Sequence, residues 1–251
     1  MTWPFENDTS AIVKRISNRS ISANRKRNIF IVLTIALASA LLSAIVLYGF
    51  GVMQETQNRN QKTAQIMYHA ISEQQGQELY KQEEIAWVGE FFNAFSEQVN
   101  HSTVNFTYAN ADMLTSQSMP YSGDLPASEN EIVVQESFLD SLGYSNELGQ
   151  TIQIPFSDGT THDFKLTGIL DVKTGDIGRY TAIISKELVR QQYGDGGMID
   201  YYIGLKGAQN MSEEEATNYA NTLAQQLKIS DDNVIVRSTY FNLKDENSGS
   251  D

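Results

Sequence analysis

The stretch Ile29-Phe-Ile-Val-Leu-Thr-Ile-Ala-Leu-Ala-Ser-Ala-Leu-Leu-Ser-Ala-Ile-Val-Leu-Tyr-Gly-Phe-Gly-Val-Met53 holds no charged residue, and its reading decides the rest. At about 1.5 Å per residue a helix of this length reaches roughly 37 Å, more than the ~30 Å of bilayer hydrocarbon. It predicts a transmembrane helix over 29–53. A soluble core helix would be shorter and apolar on one side, whereas this run is apolar all round. A cleaved signal peptide is the nearer rival, because Ala36-Leu-Ala38 and Ala38-Ser-Ala40 have the small-residue spacing of a cleavage site. Both lie inside the run, so cutting there would leave a greasy new terminus, and the preceding segment exceeds an ordinary n-region.

The flanks orient the span. Residues 1–28 carry six basic side chains (Lys14, Arg15, Arg19, Arg25, Lys26, Arg27) against Glu6 and Asp8. The positive-inside rule then places this arm in the cytoplasm and the residues after 53 outside it. Within the arm, residues 9–24 set Ile12, Val13, Ile16 and Ile21 among the basic residues. That pattern fits an amphipathic helix on the inner leaflet of the lipid bilayer, or equally a basic flank that only fixes topology.

The whole chain has a net charge of −13, and since the first 28 residues contribute +4, the remainder carries −17. Such an exported body repels phosphate backbones, which excludes nucleic acid as a partner. Cysteine is absent, so no disulfide framework or thiolate chemistry is available and the domain must hold by packing. This fits a bacterial surface, where the sequons at Asn100 and Asn105 carry no meaning.

Residues 54–65 are polar and free of proline and glycine, and they predict a helical stalk leaving the membrane. From Ile66 the order is strand (66–72), helix (73–82), strand (85–92), a beta-alpha-beta unit. The C-terminal end repeats it: a strand at 201–205, then a helix capped by Ser212 with Glu215 closing a capping box. Ala216, Tyr219, Ala220, Leu223, Ala224 and Leu227 form that helix's apolar face, and a closing strand spans 233–240. The middle reads as strands at 104–108, 131–134, 151–154, 163–170 and 180–184, with Ser157-Asp-Gly-Thr160 as a hairpin turn. Two short helices interrupt it, 136–142 closed by Gly143, and 186–193 capped by Ser185 and closed by Gly194. The expected class is α+β, with one N-terminal transmembrane helix and an extracytoplasmic domain in which the two ends pair and the middle is inserted.

The series Glu131-Ile-Val-Val-Gln-Glu-Ser-Phe-Leu-Asp-Ser-Leu-Gly143, Leu148-Gly-Gln-Thr-Ile-Gln-Ile154 and Phe164-Lys-Leu-Thr-Gly-Ile-Leu-Asp-Val172, preceded by Asn24-Arg-Lys-Arg-Asn-Ile-Phe30, resembles the MacB/FtsX-type ABC transporter permeases and their MacB-like periplasmic core domain. The resemblance covers residues 10–241. It implies a cytoplasmic arm (1–28), the span (29–53), a stalk (54–65), an ectodomain (66–241) and a polar tail (242–251). The ectodomain would divide into a porter-like part (66–100 and 200–241) and a sabre-like insertion (101–199). It also implies a cytoplasmic ABC ATPase subunit that binds the ATP, a dimeric assembled transporter, and export or mechanotransmission by the ectodomain. Permeases of this family place further spans after the ectodomain, so this chain is expected to be the front of a longer permease or a single-span relative.

Chemistry of its own is not expected. There is no Gly-Lys-Ser/Thr phosphate loop, and Gly194-Asp-Gly-Gly197 reads as a helix stop. His69, His101 and His162 are too far apart in sequence to read as a metal site. No Gly-x-Ser-x-Gly elbow is present. The sequence therefore nominates no catalytic, cofactor-binding or metal-binding residue, no cofactor, and no enzyme. Trp87, Phe91, Phe92 and Phe95 cluster as core or, less simply, as a partner groove. Two other classes compete with the permease reading. One is a single-span sensor or adhesion protein whose ectodomain binds a ligand or protein, and the other is a tethered surface hydrolase.

Overall fold

The computed structural model describes residues 10–172, 179–194 and 199–241. Two compact units are present, residues 1–57 and 58–251.

The first unit is helical. Helix α1 (Ser10–Ala23) is followed by a turn at Asn24 and by α2 (Arg25–Lys62). Along α1, Ile12, Val13 and Ile16 are exposed. Among the described residues, Arg25–Val52 is one helix long and apolar enough to cross a membrane, and its apolar stretch is exposed. Its hydroxyls do not interrupt it: Thr34 and Ser43 donate to the carbonyls of Phe30 and Ser39 at 2.8 Å. These hydroxyls are thus satisfied by their own helix, as a lipid-facing segment requires. The helix continues through the polar residues to Lys62, as their composition predicts, and stops at Thr63.

The second unit is one sheet of ten strands: β1 (Ile66–Ile71), β2 (Ile85–Val99), β3 (Ser102–Ala109), β4 (Tyr121–Gly123), β5 (Glu131–Gln135), β6 (Thr151–Pro155), β7 (Thr161–Leu170), β8 (Arg179–Ile184), β9 (Ile199–Leu205) and β10 (Val234–Val236). Its order is β10-β1-β9-β2-β3-β8-β5-β7-β4, with β6 paired to β7. Helices α3 (Glu73–Leu79), α4 (Ala111–Ser116), α5 (Glu136–Leu142), α6 (Lys186–Tyr193) and α7 (Glu213–Leu227) connect the strands.

The two ends do more than pair. Strand β9 lies antiparallel between β1 and β2, and β1 lies antiparallel between β9 and β10. Each beta-alpha-beta unit therefore encloses a strand of the other, a split arrangement of the ferredoxin-like kind. Helices α3 and α7 cover one face, where Leu79, Ala216, Ala220 and Leu223 pack on Ile66, Tyr68, Tyr201 and Ile203. The Tyr68 hydroxyl donates to the Ala220 carbonyl at 3.0 Å. The Ser212–Glu215 capping box forms as its sequence predicts. The middle strands have apolar residues on both faces. One face, with Phe106, Ile132, Ile152 and Leu166, packs under Phe138 and Leu139 of α5 and Leu188 and Val189 of α6. The other, with Val133 and Ile183, packs under Met113 and Leu114 of α4.

Several elements differ from their sequence reading. Strand β2 runs seven residues past Phe92 to Val99 and turns directly into β3. Its two-residue loop, Asn100-His101, has φ values of 48° and 66°, the twist that closes a two-residue hairpin. The closing strand stops at Val236; residues 238–241 form a helical turn that buries Tyr240 and Phe241. Helix α4 and strand β4, to which the sequence reading assigned no element, are present. Phe91, Phe92 and Phe95 on β2 are half-buried and pack against the cores: Phe95 stacks on Phe106 at 4.6 Å, and Phe91 meets Tyr202 edge-on at 6.4 Å. A bulge between Asn93 and Phe95 lets one strand serve both faces.

Candidate functional site

A charged residue stands inside an apolar strand. Glu90 follows Val88-Gly89 and precedes Phe91-Phe92 on β2, and it is 4% exposed. Burial at this level requires donors, and three are supplied. Tyr80, just past α3, donates its hydroxyl to Oε1 at 2.8 Å. Tyr108 on β3 donates to Oε2 at 2.6 Å, and Lys186 on α6 donates to the same oxygen at 2.9 Å. Burial, and then the neighbouring Glu90 charge, push the hydroxyls of Tyr80 and Tyr108 far above the usual phenol range, so both stay protonated and donate.

Lys186 also reaches Glu73 on α3, at 3.1 Å, and lies 5.8 Å from the centre of the Tyr108 ring. Arg190, one turn further along α6, donates to the same Glu73 oxygen at 2.5 Å. The Arg190 guanidinium, followed by Lys186, holds the Glu73 carboxyl below its usual range against a modest burial effect. Two carboxylates and two cations thus neutralise one another.

Local structure explains why these groups meet. Ser72 and Gln75 form a capping box that starts α3 at Glu73, and Ser185 caps α6 so that Lys186 is its first residue. Asn110 fixes the far side: its side chain accepts from the Glu90 and Met113 amides at 3.0 and 2.9 Å and donates to the Val88 carbonyl at 2.8 Å. Beneath the cluster, the fully buried ring of Tyr201 presses on α3. A Cβ on Gly76 would sit 2.0 Å from its Cζ, so only glycine fits there. Burial also raises the Tyr201 hydroxyl, which has no hydrogen-bond partner.

The cluster joins Glu73 and Glu90, from the first beta-alpha-beta unit, to Lys186 and Arg190 on the helix after β8, contacts separated by 96 to 117 residues in sequence. It has no nucleophile paired with a base. Its chemistry is a charged clasp between segments. Sequence reasoning missed it, although an isolated glutamate within an apolar strand was the available signal.

The histidines stay apart. His69 on β1 pairs with Asp200 at 2.7 Å, His101 sits in the β2–β3 turn, and His162 on β7 lies against Phe156 at 4.2 Å. Among the described residues no group of three or more His, Asp or Glu could hold a metal ion. Gly194 ends α6, while 195–198 lie outside the described residues.

The fold is thus of the α+β class, an interleaved ferredoxin-like half extended by a two-sided β-rich half. Residues 29–237 match the family model of the MacB-like periplasmic core domain, and the chain belongs to that family. It pairs one membrane-length apolar helix with a domain of an extracytoplasmic family. Among solved structures, the extracellular domain of the noncanonic ABC-type transporter YknZ from Gram-positive bacteria is similar, at 9% identity and TM-score 0.51, covering 70% of this chain and 100% of that one. The periplasmic region of MacB from Actinobacillus actinomycetemcomitans matches at 12% identity and TM-score 0.48, covering 74% and 92%. No curated protein matches the chain.

Proposed function

We propose that this chain is a membrane permease component of a MacB/FtsX-type ABC transporter, acting by export or mechanotransmission. A cytoplasmic ATPase subunit binds and hydrolyses the ATP, and the transporter assembles as a dimer. The chain contributes no catalysis of its own. The basic arm is cytoplasmic and the residues after 53 are outside. The porter-like part is 66–100 with 200–241, and the sabre-like insertion is 101–199.

The observation that carries this reading is that a single family match embraces both the apolar helix and the ectodomain. The clasp between α3 and α6 supports a domain that moves as a body.

Co-expression with the cytoplasmic ABC ATPase of the same organism is expected to yield a complex that survives affinity purification, with protease on intact cells removing the ectodomain and sparing the arm. Failure of any such ATPase to co-purify, or an ectodomain shielded from protease in intact cells, overturns the proposal.

A further inference from the structure

Across the centre of the sheet, on the face that α4 covers at one end, lies a cleft of about 280 Å³. Its polar walls are Asn93 on β2, Asn105 and Thr107 on β3, Thr181 on β8, and Gln117 after α4, and Phe91 closes its apolar end. The register brings these groups together: Asn93 is opposite Thr107, and Asn105 lies beside Thr181. We infer that this cleft is a binding site for a neutral saccharide.

Three features select that class. First, none of the lining residues is charged, in a chain of net charge −13. An anionic ligand would find no cation there, and a cationic one no carboxylate. Arg179 stands two residues along β8 from Thr181, outside the lining. Second, the hydrogen-bonding groups are uncommitted. The side chains of Asn93, Thr107, Gln117 and Thr181 form no hydrogen bond with other described residues, and Asn105 uses only its oxygen, which accepts from Ser96 at 2.7 Å. Asn93 and Gln117 are exposed, and Thr107, although only 6% exposed as a residue, keeps its hydroxyl oxygen open to the cleft.

Third, the strands beneath are central. Strands β2, β3 and β8 each have neighbours on both sides, so their backbone groups are taken up in ladders and no edge is open for an added peptide strand. Recognition must come from amide and hydroxyl side chains, which donate and accept as sugar hydroxyls do, and from the Phe91 ring, against which a sugar's C–H face can pack. This site is independent of the transporter reading.

The test uses the full chain in phosphatidylcholine nanodiscs, with saturation-transfer NMR against neutral tetrasaccharides of the cello-, chito-, malto- and manno- series. At least one is expected to bind, and Asn93→Ala and Thr107→Val should each weaken it by about tenfold, the scale of one lost buried hydrogen bond. Gln74→Ala, on the exposed side of α3, should leave binding unchanged. Thr107→Val keeps the side-chain volume; should it still misfold, exposed Asn93 carries the test alone. Absence of binding by every series, or binding that survives Asn93→Ala, overturns the inference. So does an uncharged pentapeptide, tetra-alanyl-serine, that binds in place of the saccharides and is lost with the same substitutions.

Discussion

From β10 to β2 the sheet is covered on one face by α3 and α7 around a single core, whereas from β3 to β7 apolar residues line both faces. The sequences differ accordingly. Ile66-Met-Tyr-His-Ala-Ile in β1 alternates toward its core, while Ile132-Val-Val in β5 and Ala182-Ile-Ile in β8 are buried without a break. One-sided strands leave a face to solvent, and two-sided strands need cover from above and below. The half built from the chain ends therefore depends on distant segments finding each other, while the middle half is locked by its own layers. The charged clasp sits where the two meet, and removing its buried member is the sharpest way to break the comparison. Glu90→Ala leaves two tyrosine hydroxyls without their acceptor and the Lys186 ammonium with Glu73 alone, and should destabilise by about 2–3 kcal/mol in thermal or denaturant unfolding. Lys165→Ala, which removes an exposed pair within the middle half (3.4 Å to Glu131), should cost less than about 1 kcal/mol. Similar losses from the two would mean that the clasp adds nothing beyond an ordinary surface pair.

The same contrast explains what could be read from the sequence. The apolar helix, the α7 face with its capping box and the Ser157–Thr160 turn depend on local spacing, and each stands where its residues indicated. The middle strands were equally clear because alternating runs in β6 and β7 and continuous apolar runs in β5 and β8, bounded by turn residues, leave few choices. Interleaving was not legible, because nothing local states that β9 lies between β1 and β2. Nor was the extension of β2, where Asn93, Ser96 and Gln98 sit on the polar face of a strand whose turn is Asn-His and not the familiar Asn-Gly. The clasp was hidden for a related reason: Glu73, Glu90, Lys186 and Arg190 look like solvated charges until the topology brings two helices together. The cleft was hidden because Asn93, Asn105, Thr107 and Thr181 on their strands look like an ordinary solvent face until α4, unassigned in the sequence, brings Gln117 beside them.

Two serine caps sharpen the comparison at smaller scale. Ser185 starts α6 in the middle half and is fully buried, its oxygen accepting from the Leu188 amide at 3.0 Å. Ser212 starts α7 in the end half and is exposed, accepting from the Glu215 amide at 3.2 Å, while Glu215 accepts from the Ser212 amide at 2.7 Å. Both are N-caps, but only at Ser185 would a freed amide be cut off from water. Ser185→Ala should cost about 1–2 kcal/mol and Ser212→Ala about 0.5–1 kcal/mol, measured as shifts in unfolding midpoint. The reverse order would mean that burial does not set the worth of these caps.

The smallest expected effect separates the halves by pH. Glu73 has its folded-state pKa lowered from 4.5, by Arg190 foremost. Its ionic contribution is therefore fully present above 4.5 and is lost as pH falls through the lower folded value. Glu131, in the middle half, is also lowered, chiefly by the backbone amides of Ala127 and Ser128, with Lys165 a lesser cause. Acid should weaken both, through different partners. Because the Glu73 side chain is 33% exposed, solvent screening limits its share to about 1 kcal/mol or less. Glu73→Gln should flatten the fall in melting temperature from about pH 5 downward without abolishing it, since Glu131 still titrates. Arg190→Gln should flatten it too, by freeing Glu73 toward its ordinary pKa, whereas Lys165→Gln should leave most of the Glu131 contribution in place. An acid response unchanged in Glu73→Gln and Arg190→Gln would mean that the clasp is already screened by water and that its ionic pairs add nothing to stability.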